Sequence, residues 1–379
     1  MNEKRKILHI ATFQGNIGDN ASHIGLNKIL ETIIPIPFDL IRHEIRDYYK
    51  NVDYKVRKFF DRSFVSYVNT FDLVIIGGGG FLDYFVEDSV TGTTFDISIE
   101  LLDEIKTPIL FSSVGCVPNN IVPDGNVHKF EVFLKYLLQS DSIDILFRND
   151  GSKENIEKTF GIGKYNIKTV LDNGFFFDTN ENILDCFNSE YIAISVSFDQ
   201  IDMSGPESID IDSDTFYNEI AKTIKHIVLN LNLNVCLVPH IYKDLKSIDI
   251  VLSKLDDILI RKNIIISPCI QGDYGSFFNF SVYKNSKLII GTRFHANVCG
   301  VSMGVDTIGL AVLKRLGHMY NHIRMPESFL MADNFFSKEL CSKIDLLVKG
   351  NSLRGQYDQL EVLRKESLDL HSELINKFL

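Results

Sequence analysis

The sequence lacks tryptophan, and its six cysteines are scattered without any Cys-x-x-Cys pair. Isolated thiols of this kind argue against a zinc site or a disulfide framework and are typical of a reducing compartment. No apolar run reaches the ~20 residues that a membrane-spanning helix requires. The charged N-terminus passes directly into a short apolar segment at residues 7–12, without the longer apolar region of a secretory signal. We therefore expect a cytoplasmic globular protein.

Lys and Arg are also in deficit, because they number 39 against 50 Asp and Glu residues, which gives a net charge of −11. This balance argues against broad nucleic-acid binding. The local exception is the segment 42–62, in which seven Lys and Arg residues accompany four acidic residues and five Tyr and Phe rings. Two interpretations stay open for it. The segment is either an amphipathic helix or loop that packs its rings on the domain, or a basic aromatic face that contacts an anionic membrane or a lipid-phosphate-linked glycan.

Short apolar segments alternate with helical patterns along most of the chain. They lie at 7–13, 73–76, 109–114, 142–147 and 168–171 and, after a polar stretch at 178–190 that we interpret as a linker, at 191–197, 234–238, 264–267, 288–290 and 306–310. This rhythm predicts an α/β fold of two Rossmann-like, doubly wound parallel sheets. Because 379 residues exceed one ordinary core, we expect domains at 1–180 and 187–345 that face each other across a cleft. An amphipathic C-terminal helix at 352–379 is expected to pack across their junction.

The strongest site signal is the segment 286–304, which reads as strand, tight turn and helix. Gly291 ends the strand, and Thr292 is the predicted N-cap. Such a turn directs free backbone NH groups and the positive end of a helix dipole at one point, where an anion binds readily. Arg293 offers a two-pronged donor to that anion, and His295 can move a proton near neutral pH. The plainer alternative, a surface charge and an ordinary hydrogen-bonding histidine, is less consistent with a position at the carboxyl end of a strand.

Two glycine-rich turns follow strands of the first half. Asn16 and Asp19 belong to the turn that begins at Gly15, which lacks the third glycine of a dinucleotide site. The second turn consists of four consecutive glycines at 77–80. A glycine run is costly in conformational entropy, so it indicates close approach of a ligand or of the other domain, with a tight strand-to-helix crossing as the alternative.

The order and spacing of these motifs resemble the polysaccharide pyruvyl transferase family over about residues 7–315. The motifs that carry the resemblance are Gly15-Asn16-Ile17-Gly18-Asp19, the glycines at 77–80, Arg148 with Ser152, Pro239-His240, and Gly291-Thr292-Arg293-Phe294-His295 followed by Gly304. The chain departs from the common family pattern at Asn149, at Val305-Asp306 and at Ala311-Val312-Leu313.

The resemblance implies a GT-B-like arrangement and transfer of pyruvate from phosphoenolpyruvate to two hydroxyls of a hexose. The acceptor would be a glycan or its lipid-linked precursor, and the products a cyclic ketal and phosphate. No metal and no cofactor besides phosphoenolpyruvate as co-substrate is implied. The residues implied on the donor side are His295 as acid/base, with Arg293, Lys314, Gly291, Thr292 and His240 around the anion. Those implied on the acceptor side are Asn16, Gly78, Gly79, Gly80 and Arg148, with Asp19 taking a proton from the sugar hydroxyl.

Two other functions stay open at this point. A GT-B glycosyltransferase would use a nucleotide sugar, with Arg293 on the diphosphate and a carboxylate base in the first domain. A glycan-binding protein would have kept the fold and lost the chemistry, because one fold hosts many functions.

Overall fold

Two parallel six-stranded sheets organise the protein in a computed structural model that describes residues 4–179, 189–201, 203, 205–350 and 357–379. The strands of the first sheet are β1 (Arg5–Ala11), β2 (Phe38–Glu44), β3 (Leu73–Gly77), β4 (Ile109–Val114), β5 (Ile143–Arg148) and β6 (Lys168–Val170). Those of the second sheet are β7 (Tyr191–Ser195), β8 (Asn234–Leu237), β9 (Ile264–Ile266), β10 (Leu288–Gly291), β11 (Thr307–Ala311) and β12 (Phe329–Met331).

Helices occupy the connections between the strands. The helices are α1 (Ile17–Ile33), α2 (Arg62–Val68), α3 (Ile99–Asp103), α4 (Asn126–Gln139), α5 (Ser152–Phe160), α6 (Ser213–Leu231), α7 (Asp244–Ser253), α8 (Asp257–Asn263), α9 (Gly272–Lys284), α10 (Phe294–Ser302), α11 (Arg315–His322), α12 (Phe336–Val348) and α13 (Tyr357–Phe378). Single 3-10 turns cover Ile45–Tyr48, Asn173–Phe176 and Pro326–Ser328. Within the described residues, none of the helices is long and apolar enough to cross a membrane.

The strand order is β2-β1-β3-β4-β5-β6 in the first sheet and β12-β11-β10-β7-β8-β9 in the second. The paired strands within both sheets run parallel. The predicted doubly wound α/β fold is therefore confirmed. Burial explains the continuous apolar runs, because neighbouring residues such as Ile7 and Leu8 enter cores on opposite faces of the first sheet.

The sequence prediction differs from the structure at the edges of the sheets. Strands β2 and β12, which lie at these edges, were not predicted, and neither were helices α2, α3, α5, α8, α9, α11 and α12. In β2, Arg42, His43 and Glu44 interrupt the apolar pattern, and β12 has only three residues. For the segment 42–62 the helix is wrong and the loop is found, since β2 and a 3-10 turn are followed by irregular chain up to Asp61, and Tyr48, Tyr49 and Phe60 pack on the core. The predicted linker at 178–190 falls mostly on residues 180–188, outside the described residues.

The C-terminal helix α13 contacts both halves of the protein. Its Leu374 and Ile375 are buried in the core beneath the first sheet. Arg364 donates hydrogen bonds to the carbonyl oxygens of Phe175 and Ser302, both at 2.9 Å. The helix thus connects the end of the first half to the helix that follows β10.

The start of α1 also bridges the two halves. The amide of Ile17 donates to the carbonyl of His240 over 3.2 Å, and Asn20 Nδ2 lies 3.0 Å from Asp273 Oδ1. Arg42 adds an ion pair of 2.8 Å to Asp273. These contacts hold the carboxyl ends of the two sheets close to one another.

Candidate active site

A cavity of about 230 Å³ lies where the carboxyl ends of the two sheets meet. Eight of the predicted site residues line it: Asn16, Asp19, Gly79, Gly80, Arg148, His240, Arg293 and His295. Six further residues line it that the sequence analysis did not single out: Asn119, Asp199, Gln200, Met203, Phe294 and Arg315. The predicted residues that do not line it are Gly78, Gly291, Thr292 and Lys314.

Gly291 and Thr292 shape the turn behind the cavity. A Cβ at Gly291 would lie 2.6 Å from Asn297 Nδ2, which donates to the carbonyls of Gly291 and Arg293. The Thr292 hydroxyl accepts from the Ser197 amide over 2.8 Å, so it joins β10 to β7. The prediction that Thr292 is the N-cap is wrong, because the N-cap of α10 is Arg293.

Arg293 is buried and bound by two carboxylates. Its guanidinium donates to both oxygens of Asp244, and Nη2 lies 2.7 Å from Asp199 Oδ1. Asp244 is buried, whereas Asp199 retains partial exposure. The positive charge of Arg293 is thus balanced within the protein, by one fixed and one more accessible carboxylate.

His295 sits between the two halves. Its Nε2 is buried, has no hydrogen-bond partner among the described residues, and lies 3.4 Å from Asp172 Oδ1, an ion-pair distance. Burial alone would raise the pKa of Asp172, but His295 and then Arg148 hold it well below its usual value. On the other side of the ring, a Cβ at Gly18 would lie 2.7 Å from Nδ1. The glycine of the first half therefore makes room for the imidazole of the second.

Arg148 is as fully paired as Arg293. Its Nε and Nη2 lie 2.8 and 2.6 Å from Asp150 Oδ2, and its Nη1 lies 3.3 Å from Asp172 Oδ2. The guanidinium carbon also lies 4.8 Å from the centroid of the Phe294 ring. Asp172 is consequently shared between Arg148 and His295, which couples the two halves electrostatically.

Arg315 differs from both of these arginines. Its side chain lines the cavity, and among the residues that the structure describes it forms neither an ion pair nor a hydrogen bond. Its guanidinium carbon lies 5.8 Å from the Phe294 ring centroid. Burial, followed by the positive charge of Arg148, lowers the pKa of Arg315. A guanidinium that lines a cavity without a partner favours the binding of an anion from outside the chain.

Lys314, the lysine that the resemblance implied, points elsewhere. It is exposed, and its Nζ donates to the carbonyl of Pro206 over 2.8 Å. The structure brings its neighbour Arg315 to the cavity instead. Both residues follow β11, so the rule that ligands bind at the carboxyl ends of strands identifies the location but not which of the two points inward.

Asp19 and Asn16 hold each other at the start of α1. Asn16 is the N-cap and accepts from the Gly18 amide over 3.0 Å. Asp19 accepts from Thr12 Oγ1 at 2.8 Å, from Asn16 Nδ2 at 3.0 Å and from Arg46 Nη2 at 3.4 Å. Three donors thus occupy the carboxylate that was predicted to take the proton of the acceptor.

His240 lines the cavity as a neutral imidazole. It is buried, and its Nε2 lies 2.9 Å from the hydroxyl of Tyr283. Burial, then the charges of Arg293 and His295, holds the pKa of His240 well below its usual value. Because its carbonyl also accepts from Ile17, His240 fixes the junction of the two halves.

The glycine run after β3 leaves space for specific neighbours. Gly78 has a φ of +81°, which favours glycine, and lies beside His23, away from the cavity. A Cβ at Gly80 would lie 2.6 Å from Asp83 Oδ2. Gly79 and Gly80 therefore let the backbone form part of the cavity wall.

Comparison with solved structures shows the same architecture. A glycosyltransferase from Rickettsia africae superposes with a TM-score of 0.59 at 11% identity, covering 99% of both chains. A UDP-GlcNAc 2-epimerase from Methanocaldococcus jannaschii gives 0.53 at 12% identity, covering 93% of this chain and 94% of that one. At these identities the similarity establishes the GT-B-like fold alone. Among curated proteins, none matches this chain.

The family model gives a more specific result. The model for polysaccharide pyruvyl transferases matches residues 16–313, a range that includes the glycine turns of the first half and the Arg293–His295 turn of the second. The match covers most of the chain and includes every residue that lines the cavity except Arg315. The chain belongs to the polysaccharide pyruvyl transferase family.

Proposed function

We propose that the protein transfers pyruvate from phosphoenolpyruvate to two hydroxyls of a hexose, as a cyclic ketal, with release of phosphate. The acceptor belongs to a cell-surface glycan or its lipid-linked precursor. Membership of the family supports this class of reaction. The observation that carries the proposal is the unpaired Arg315 in the same cavity as His295.

The charges of the cavity suit a donor with two anionic groups. Phosphoenolpyruvate carries a phosphate and a carboxylate, and Arg315 provides a guanidinium that forms no ion pair with any described residue. Arg293 becomes a second holder when a donor oxygen replaces Asp199, the more exposed of its two partners. Bidentate arginine contacts would fix the orientation of the donor as well as its affinity.

The reaction needs one proton donor and one proton acceptor. His295, as imidazolium beside Asp172, protonates the methylene carbon, and a sugar hydroxyl attacks the cationic C2 while losing its own proton to a base. The C2–O(phosphate) bond then breaks, and the second hydroxyl closes the ring at C2. Its proton restores the imidazolium or leaves with phosphate. The arginines stabilise the negative charge that gathers on the departing phosphate.

The fold also supports a second candidate, a glycosyltransferase with a nucleotide-sugar donor, because a glycosyltransferase shares this architecture. The test is incubation of the protein with phosphoenolpyruvate and a panel of p-nitrophenyl hexosides, with detection of phosphate and of the ketal by mass spectrometry. We expect phosphate release that requires a hexoside. Stabilisation by nucleoside diphosphates together with no turnover of phosphoenolpyruvate would reject the pyruvyl transfer in favour of the second candidate. Phosphate release without any hexoside would indicate hydrolysis.

We also propose that the enzyme works in the cytoplasm at the inner face of the plasma membrane. In the segment 42–62, Tyr54 and Val56 are 74% and 71% exposed, and Phe59 is 40% exposed. Arg57 lies 4.6 Å from the Phe59 ring centroid, and Lys55 is exposed beside it. Exposed rings among cations are typical of contacts with anionic lipid surfaces.

Vesicle sedimentation tests the membrane contact. We expect the protein to sediment with phosphatidylglycerol vesicles more than with phosphatidylcholine vesicles, and the double variant Tyr54→Ser/Phe59→Ser to lose the difference. Ile258→Ser is the matched control, because Ile258 is equally exposed but lies in the second half. Equal sedimentation of the double variant and the native protein would reject the contact.

A further inference from the structure

A second cavity of about 410 Å³ adjoins the first on the side of the first half. The two cavities share Gly80, Asn119 and Arg315 in their walls. These three residues mark the border between the cavities, where a molecule in the second cavity would meet a donor bound in the first. Its volume lies within the range of about 300–1,000 Å³ that small-molecule sites occupy.

The wall of the second cavity combines aromatic rings with polar groups. Tyr48 and Tyr49 line it together with Thr94 and Asp96. The ring of Tyr48 is fixed by stacking on Phe60, with centroids 4.3 Å apart. Aromatic faces pack against the CH groups of a sugar ring, and hydroxyl and carboxylate oxygens pair with its hydroxyls. This wall suits a hexose. Its two cations are Lys50, which lies 3.9 Å from Asp96, and Arg315 at the border with the first cavity.

Asp83 lies at the point where this cavity approaches the donor. The side chain is buried, and its Oδ1 accepts from the Val117 amide over 2.6 Å. No described residue donates to Oδ2, which faces Gly80. Because a Cβ at that glycine would lie 2.6 Å away, glycine keeps this oxygen accessible. Asp83 thus has one anchored and one available oxygen.

The surroundings of Asp83 favour a carboxyl that exchanges its proton near neutral pH. Burial, the largest effect, and the charge of Asp150 raise the pKa of Asp83 to about 7, against the opposing effects of the Val117 amide, Arg148 and Arg315. The titratable and charged groups that face it are Tyr84, Cys116, Arg148, Asp150 and Arg315. Three donors already occupy the carboxylate of Asp19, so the geometry favours Asp83 as the group that meets the substrate hydroxyl.

We infer that the second cavity holds the hexose acceptor and that Asp83 Oδ2 takes the proton of its attacking hydroxyl. This inference rests on the proposed pyruvyl transfer and assigns its acceptor side. The hydroxyl oxygen forms the bond to C2 as its proton passes to Asp83, while the proton added to the methylene carbon comes from His295. Asp83 is thereby a catalytic residue, and Asp19 positions the start of α1.

The variant Asp83→Asn tests the assignment, because the amide keeps the shape and the acceptor for Val117 but cannot take a proton. With phosphoenolpyruvate and the p-nitrophenyl hexosides, we expect kcat to fall by about 10²–10⁴-fold. Binding of phosphoenolpyruvate, measured by calorimetry, should be unchanged. In the native enzyme kcat/KM should decline below about pH 7, and the residual activity of the variant should lack this decline. Asp88→Asn is the control, since Asp88 is exposed and its φ of +57° suits asparagine.

A stability measurement checks the protonation of Asp83 without any substrate. Because the pKa is raised in the folded protein, ionisation of Asp83 opposes folding, and native stability is lost as pH rises from about 4 towards 7. The melting temperature of Asp83→Asn should therefore rise relative to that of the native protein over this interval and then level off. A difference that stays flat from pH 5 to pH 8 would overturn the assignment of Asp83.

The possible failures are distinguishable. If the native enzyme turns over a hexoside and Asp83→Asn keeps the same kcat and pH profile, Asp83 is not the base, and the proposed function stands. If the native enzyme releases no phosphate with any hexoside, the proposed function falls, and the acceptor site falls with it.

Discussion

The two halves of the protein present different groups to the cleft, although both are built from the same parallel-sheet architecture. The first half contributes Asp19 and Asp83, and its Arg148 is balanced by two carboxylates. The second half contributes His295 and the unpaired Arg315. Arg293 of the second half is likewise balanced by two carboxylates, so the difference lies in the groups that remain: carboxylates on one side of the cleft, and His295 with Arg315 on the other.

This difference indicates how the halves divide a two-substrate reaction. In the proposed reaction, a donor with phosphate and carboxylate groups would bind on the side of the second half, whereas a sugar hydroxyl would need a carboxylate that accepts its proton, as in the first half. Asp172 and Gly18 then act as the connection, because each belongs to the first half and contacts His295 of the second. If the comparison is correct, variants on the two sides should affect different kinetic constants.

The largest expected effect is that of His295→Gln. The amide fills similar space between Gly18 and Asp172 but cannot deliver a proton, so kcat should fall by about 10²–10⁴-fold. Affinity for phosphoenolpyruvate, measured by isothermal titration calorimetry, should change far less. A variant with native kcat would remove His295 from the mechanism and end the division of roles between the halves.

The sequence was sufficient to place this histidine because its signal is local. The apolar run, the glycine break and the helical pattern around Gly291 lie within one segment, so they predict that His295 stands at the carboxyl end of a strand. The partners of the site residues are not local. Asp172 and Asp199 reach His295 and Arg293 only through the arrangement of the strands, which composition and periodicity do not specify.

The next effect concerns stability, and it tests the connection between the halves. Asp172→Asn leaves Arg148 and His295 without a shared buried carboxylate. We therefore expect the free energy of unfolding to fall by about 3 kcal/mol at pH 7. Because the pKa of Asp172 is lowered in the folded protein, its contribution is present above about pH 4 and is lost as pH falls further. Urea unfolding of both proteins at pH 7, 5 and 4 measures the difference.

The difference in the free energy of unfolding between the native protein and Asp172→Asn should be largest at pH 7 and should begin to decrease at pH 4. The exposed Asp88→Asn provides the control, for which no gap is expected. A gap that grows as the solution becomes more acidic would contradict the lowered pKa of Asp172.

Adjacent residues at the start of α11 show where sequence reasoning ends. Lys314 is the N-cap and Arg315 the first residue of the helix. Successive helical residues point about 100° apart, a consequence of 3.6 residues per turn. A motif that fixes the position to within one residue therefore cannot decide which cation enters the cavity. The structure assigns that place to Arg315.

The smallest effect compares these two neighbours. Arg315→Gln removes the unpaired guanidinium, and the KM for phosphoenolpyruvate should rise about ten- to hundred-fold, the cost of lost charge-assisted hydrogen bonds. Lys314→Gln should leave this KM nearly unchanged, because Lys314 Nζ binds the carbonyl of Pro206 outside the cavity. The KM for the hexoside should respond less than that for the donor in both variants. If Lys314→Gln has the greater effect on the KM for the donor, the anion lies on the other face of α11, and Arg315 does not bind the donor.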